Sequence, residues 1–152
     1  MKLFTNSLTR IAAISFLVAF TSCTKDNEPA DVVYDIRGNT PAVSSGVNIN
    51  AYANFTGGYS ATYKKVAFNI NWYNIAGKVT GTSLAVDSEG SLEVIKNFGV
   101  TEGAGSGLTA SDMMLTKEQE TKLLNGEWVF TVNTVDHPAG ELVGKMQVIR
   151  TQ

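Results

Sequence analysis

The chain contains one cysteine, Cys23, and one histidine, His137, among its 152 residues. A single cysteine excludes an intramolecular disulfide, so the fold has no internal cross-link to rely on. A single imidazole excludes any metal site built from several histidines. It also leaves a His-based triad only His137 to draw on, and no serine or cysteine nucleophile motif lies near it. With Asp136 before it and Pro138 after it, His137 reads as a surface residue of a turn. Charge of one sign is also scarce: 12 basic residues face 14 acidic ones, for a formal charge of −2. Without a basic run there is no electrostatic footprint for nucleic acid. The apolar run Ile11 to Phe20 is too short to span a bilayer as a helix, and no later run is longer.

That short run has a specific setting. Lys2 and Arg10 precede it, and Phe20-Thr21-Ser22-Cys23 closes it. A positive segment, an apolar core and then small residues form the layout of a secretory signal. Small residues fit the narrow subsites of a peptidase, and the cysteine sulfur is the nucleophile that takes up a diacylglycerol. The closing tetrapeptide resembles the lipobox of bacterial lipoproteins, with Phe20 where leucine is commoner. Acylation would also remove the liability of an unpaired thiol in an oxidising compartment. The expected division is a signal peptide over 1–22, a lipidated tether over 23–30 and one domain over 31–152. Loss of Lys2 and Arg10 takes the formal charge from −2 to −4, because every acidic residue lies beyond Cys23. Thr24 to Ala30 is polar and short of apolar residues, as a tether should be. Lys25, Asp26 and Glu28 resemble the acidic export signals of surface lipoproteins in Bacteroidetes-like bacteria. A plain soluble spacer accounts for them equally well. Membrane attachment through the lipid places the protein in the cell envelope, by expectation at the outer membrane on its periplasmic or cell-surface side.

Beyond the tether, period-two alternation dominates. Val47, Ile49, Ala51, Ala53 and Phe55 alternate with Asn48, Asn50, Tyr52 and Asn54, the pattern of a half-buried strand. Gly57-Gly58 predicts a turn. Val66, Phe68, Ile70 and Trp72 then alternate with Ala67, Asn69, Asn71 and Tyr73, which predicts an antiparallel partner. Trp128, Phe130 and Val132 repeat the pattern, as do Leu142, Met146 and Val148, where Gly144 points to a bulge or close packing. Asp31 to Arg37, Lys78 to Thr80 and Leu92 to Ile95 are weaker strands. Many short strands separated by turn signals predict an all-β chain, a β-sandwich or a partly closed barrel, and the expected form is an antiparallel Greek-key β-sandwich of immunoglobulin-like or superoxide-dismutase-like type with one short helix.

The helix should begin after Thr116, whose hydroxyl can cap it while Gln119 reaches back to complete a capping box. Leu115, Leu123 and Leu124 are expected to face the sheet, and Lys117, Glu118, Glu120 and Lys122 to face water. Asn125-Gly126 should end it, since glycine accepts a left-handed backbone. Glu102 to Gly107 reads as a loop, because its glycines come without the lysine and the strand–helix context of a phosphate loop.

The tail from Thr116 through Gly126, Trp128 to Thr134 and His137 to Gly144 resembles the end of a CHRD domain, the module named after chordin and common in exported bacterial proteins. Pro138, Gly140, Glu141 and Gly144 match its Pro-Gly-Gly-Glu-Ile-Arg-Gly-like turn, and Pro41 and Gly81 fit the layout more loosely. The resemblance covers most of Asp31 to Arg150. Many bacterial members carry a His-x-His-Gly step and a later histidine, a set able to bind metal. The matching positions here are Ser83, Ala85 and Asn133, which cannot replace imidazoles as strong zinc or copper ligands. Val143 stands where an arginine often follows Glu-Ile.

Carboxylates remain. Asp87-Ser-Glu89-Gly90 supplies too few oxygens for a calcium loop and reads as a solvated turn. Glu141 is expected to accept amide hydrogen bonds and fix its turn. A glycosidase needs two carboxylates across a cleft, and the sequence places no such pair. Tyr52, Tyr59, Tyr63 and Tyr73 are expected on outer strand faces, as cross-strand packing or as a contact surface for carbohydrate or protein. The expected function is a non-enzymatic, lipid-anchored binding or scaffolding module with an envelope protein or polysaccharide as partner. The alternative is an envelope hydrolase or metal-dependent enzyme with an unrecognised carboxylate site. No catalytic, cofactor or metal residues are assigned, and the one assigned site is lipid attachment at Cys23.

Overall fold

The computed structural model describes residues 31–40, 50–100 and 104–151. The signal, the tether and Cys23 lie outside the described residues, as do Pro41, Val47, Ile49 and Glu102. The elements are β1 (Val33–Asn39), β2 (Tyr52–Ser60), β3 (Lys65–Ser88), β4 (Ser91–Gly99), β5 (Ala104–Met114), α1 (Lys117–Leu124), β6 (Trp128–Thr134) and β7 (Leu142–Arg150). Among the described residues no helix is long and apolar enough to cross a membrane.

The alternation read from the sequence sorts side chains between core and solvent. Val66, Phe68, Ile70 and Trp72 are buried while Lys65, Ala67 and Asn69 are exposed. Trp128, Phe130 and Val132 are buried too, and so are Leu142 and Met146. Phe55 lies between two core rings, 5.3 Å from Phe68 and 5.7 Å from Phe130 between ring centroids. Gly144 is a case of close packing. A Cβ there would run into the Phe130 ring and the Asn39 carbonyl.

The all-β chain with one short helix is as expected, but the strands are joined differently. They form one sheet that closes on itself through β1, β2, β3, β6 and β7, a five-strand barrel rather than two separate sheets. The long strand β3 makes this possible. Its first half pairs with β2 and β5, its second half with β6 and β4. Between the halves the register shifts at Trp72/Ile75 and Ile75/Lys78, and Asn74 takes a left-handed φ of 60°. Such irregularities bend a strand and let it serve two faces. Strand β7 divides likewise: residues 142–145 pair with β6 and 145–150 with β1. One broad face therefore runs β5, first half of β3, β2, β1, end of β7.

Three local expectations are corrected. Gly57 and Gly58 lie inside β2, opposite Phe68 and Ala67, and the chain turns later at Ala61 to Lys64. A Cβ on Gly57 would lie 2.7 Å from the Ala67 carbonyl oxygen and 2.9 Å from the Phe68 Cβ, so this glycine serves packing. Ala104 to Gly107 belong to β5, not to a loop. The strand was hidden because its inward residues Gly107, Thr109 and Ser111 are small; Gly107 lies against the Trp72 indole, which leaves no room for a larger side chain. Leu124 is exposed although Leu123 is fully buried. Successive helical residues are about 100° apart, so adjacent leucines cannot share the narrow buried stripe.

The capping box forms as expected: Gln119 N donates to Thr116 Oγ1 at 3.2 Å and Thr116 N to Gln119 Oε1 at 3.0 Å. Gly126 follows with φ of 75°. Glu120 departs from expectation by facing the barrel. Its Oε1 accepts from the Tyr59 hydroxyl at 2.6 Å and from Lys64 Nζ at 2.7 Å, tying the helix to β2 and the β2–β3 turn.

Candidate functional site

The tight turns place the remaining polar candidates at the barrel ends. His137 is exposed between β6 and β7, and its part in the turn is through the main chain. Its N–H donates to Thr134 Oγ1 at 3.2 Å, and its carbonyl accepts from Thr134 N and Gly140 N. Asp136 is exposed beside it. Glu141 is buried, and its main-chain N–H donates to the Val132 carbonyl at 2.8 Å. The amide bonds expected at its carboxylate are not made among the described residues; main-chain bonds hold this turn instead. Asp87 sits at the β3–β4 hairpin, where Oδ1 accepts from Gly90 N at 3.0 Å and Oδ2 lies 3.5 Å from Lys145 Nζ. Glu89 and Gly90 both have positive φ, the geometry of a two-residue hairpin turn. Among the described residues no three His, Cys, Asp or Glu side chains gather.

Ser83 and Asn133, the positions matched to family histidines, do meet. Asn133 Nδ2 donates to Ser83 Oγ at 2.8 Å, Ser83 Oγ donates to Asn97 Oδ1 at 2.6 Å, and Thr131 Oγ1 donates to Asn133 Oδ1 at 2.6 Å. Strand register explains the meeting, since β6 and β4 flank this stretch of β3. The result is a chain of neutral hydrogen bonds that satisfies its own members. Ala85 is fully buried and offers no polar atom.

The tyrosines divide. Tyr52 is 45% exposed and Tyr63 is 60% exposed, while Tyr59 is fully buried. Burial, reinforced by the Glu120 carboxylate, pushes the Tyr59 phenol well above its ordinary range. Because β2 continues through Gly57 and Gly58, Tyr59 keeps the inward parity of Ala53 and Phe55. Tyr52 and Tyr73 are opposite one another on β2 and β3, and their rings stack with centroids 4.7 Å apart and planes 20° apart.

Beside this pair the broad face carries short polar side chains in register. Asn54 lies between Asn39 and Asn71, and the next row sets Thr56 between Arg37 and Asn69. Asn71 Nδ2 donates to Asn54 Oδ1 at 3.2 Å. A groove of about 530 Å³ crosses the face, lined by Thr56, Gly57, Ala67, Asn69, Ala110 and Asp112 among others. Charged residues beside it are paired: Lys65 with Asp112 at 2.8 Å and Arg37 with Asp35 at 3.6 Å. Sequence reasoning treated Asn54, Thr56, Asn69 and Asn71 only as the wet sides of strands. The one signal available was that the wet side of two adjacent strands is amide-rich and uncharged. Comparison of the chain with family models, with curated proteins and with solved structures gives no match.

Proposed function

We propose that the chain is a lipid-anchored cell-envelope lipoprotein whose barrel binds or scaffolds rather than catalyses. The observation that carries the binding half is the broad outer face: its centre is uncharged and rich in hydrogen-bonding groups, and a stacked tyrosine pair borders it. Exposed amides and aromatics of this kind supply adaptable hydrogen bonds together with rigid contact area. The anchoring half rests on the sequence alone, on the short apolar run and the lipobox-like Phe20-Thr21-Ser22-Cys23. Attachment at the outer membrane, facing the periplasm or the cell surface, belongs to the same proposal. So does kinship with the chordin-type module, with the barrel's bent strands standing where a Greek-key sandwich was expected.

The anchoring half is tested by replacing the sulfur nucleophile. Cys23→Ser should abolish incorporation of labelled palmitate and release the protein from membranes on fractionation, with its melting temperature unchanged. A variant that still takes up label and sediments with membranes would refute the lipobox reading.

A further inference from the structure

Resting on the reading of the barrel as a binding module, we propose that the broad face binds a neutral polysaccharide, laid across the strands over Asn54, Asn71 and Asn69 and against the Tyr52–Tyr73 stack. Three properties of the face select this ligand. The first is charge. Lys65 and Arg37, the cations beside the groove, each have a carboxylate partner, so an ionic ligand would compete with an existing pair. A neutral ligand displaces none.

The second is hydrogen-bonding type. A side-chain amide presents both donor and acceptor, the combination that vicinal hydroxyls of a sugar match. The single bond between Asn71 and Asn54 uses one amide hydrogen of Asn71 and one lone pair of Asn54. The Asn54 amide nitrogen and the Asn71 carbonyl oxygen take no part in that bond, and Asn69 is exposed in the adjacent row.

The third is shape. The face is shallow where short residues, Gly57, Ala67 and Ala110, lie beside Thr56 and Asn69, which leaves room for a chain laid on it. Two rows along the same strands from Thr56 and Asn69, the Tyr52 and Tyr73 rings stack on each other, and Tyr52 keeps nearly half its surface in water. Apolar ring surface beside amides suits a sugar, which has C–H faces as well as hydroxyls.

The test uses the full chain in detergent micelles. Affinity electrophoresis against soluble neutral glucans, xylans and mannans, with polygalacturonate as the acidic control, measures retardation in low and high salt. At least one neutral polysaccharide should retard the protein independently of salt, and polygalacturonate should not. Tyr73→Ala and Asn71→Ala should each weaken the retarding interaction about tenfold, the scale of one aromatic or hydrogen-bonded contact, with circular dichroism showing each variant folded at the assay temperature. Absence of retardation by every neutral polysaccharide overturns the proposal, as does retardation that neither variant alters or that appears with the acidic polymer alone. A photo-crosslinker at position 69 separates this failure from that of the broader reading. Capture of an envelope protein there, without polysaccharide binding, overturns the polysaccharide but leaves the binding module standing. Neither capture nor retardation removes both.

Discussion

Trp128→Ala probes the register of the barrel most directly. Trp128 opens β6 opposite Val86 and is only 1% exposed, within the same core as Phe130 and Val132. A buried tryptophan removes about 200 Å² from water, which at about 25 cal/mol per Å² amounts to about 5 kcal/mol, part of which alanine retains. Measured truncations of this kind cost about 3–5 kcal/mol, cavity included. A second quantity opposes the loss. The Trp128 indole N–H is buried without a hydrogen-bond partner among the described residues, a penalty of about 1–3 kcal/mol that the variant does not carry. The net expectation is a loss of about 3 kcal/mol, a large share of the stability of one domain. Urea unfolding followed by far-ultraviolet circular dichroism measures it from the shift in midpoint at constant slope. Trp128→Phe separates the two contributions, because it removes the N–H but keeps most of the apolar volume, and should cost much less. A loss below about 0.5 kcal/mol for the alanine variant is what exposed positions show. It would mean that Trp128 lies outside the core.

Gly144→Ala should destabilise by about 1–3 kcal/mol through collision with Phe130 and the Asn39 carbonyl, whereas Gly99→Ala, with no atom within 4 Å of the added Cβ, should be near neutral; parallel urea titrations compare them. Lys64 and then Tyr59 hold the Glu120 carboxyl below its ordinary value of 4.5, so its contribution to stability is full above that value and is lost as pH falls through the lowered one. Melting temperatures of wild type and Glu120→Gln between pH 7 and pH 2 should therefore converge at the acid end, and parallel curves would refute the helix tie. His137→Ala should leave the melting temperature unchanged, as expected for an exposed residue. Calorimetric titration of zinc and copper should not distinguish it from wild type, and tight binding lost in the variant would make His137 a ligand.

Much of the chain was legible where the physics is local. The helix is set by Thr116 and Gln119, three residues apart, and by Gly126, and its boundaries agree with that reading. Inward and outward sides of β7 and the first half of β3 follow from alternation alone, because a strand's side chains change face at each residue, whereas β6 is buried on both faces. The same rule failed when continuity was misjudged. Treating Gly57-Gly58 as a turn broke β2 and put Tyr59 outside, although with the strand unbroken its parity puts it inside. Glu120 reads as a solvent-facing charge of the helix, since nothing nearby in sequence reveals that Tyr59 and Lys64 converge on it.

By itself, then, the sequence determined the local conformations and the side of most strands that turns away from water, because alternation and capping act over a few residues. It also set the chemical limits of one histidine and one cysteine. Tertiary structure decided whatever depends on residues far apart in the chain. It carried β3 through its bend as one strand, made a strand of small-residue β5 by setting Gly107 against Trp72, and closed the sheet into a barrel. Cross-strand register decided the candidate site as well. Asn54 and Asn71 are equally polar wherever they stand, and only the pairing of β2 with β3 sets them side by side next to two stacked tyrosines.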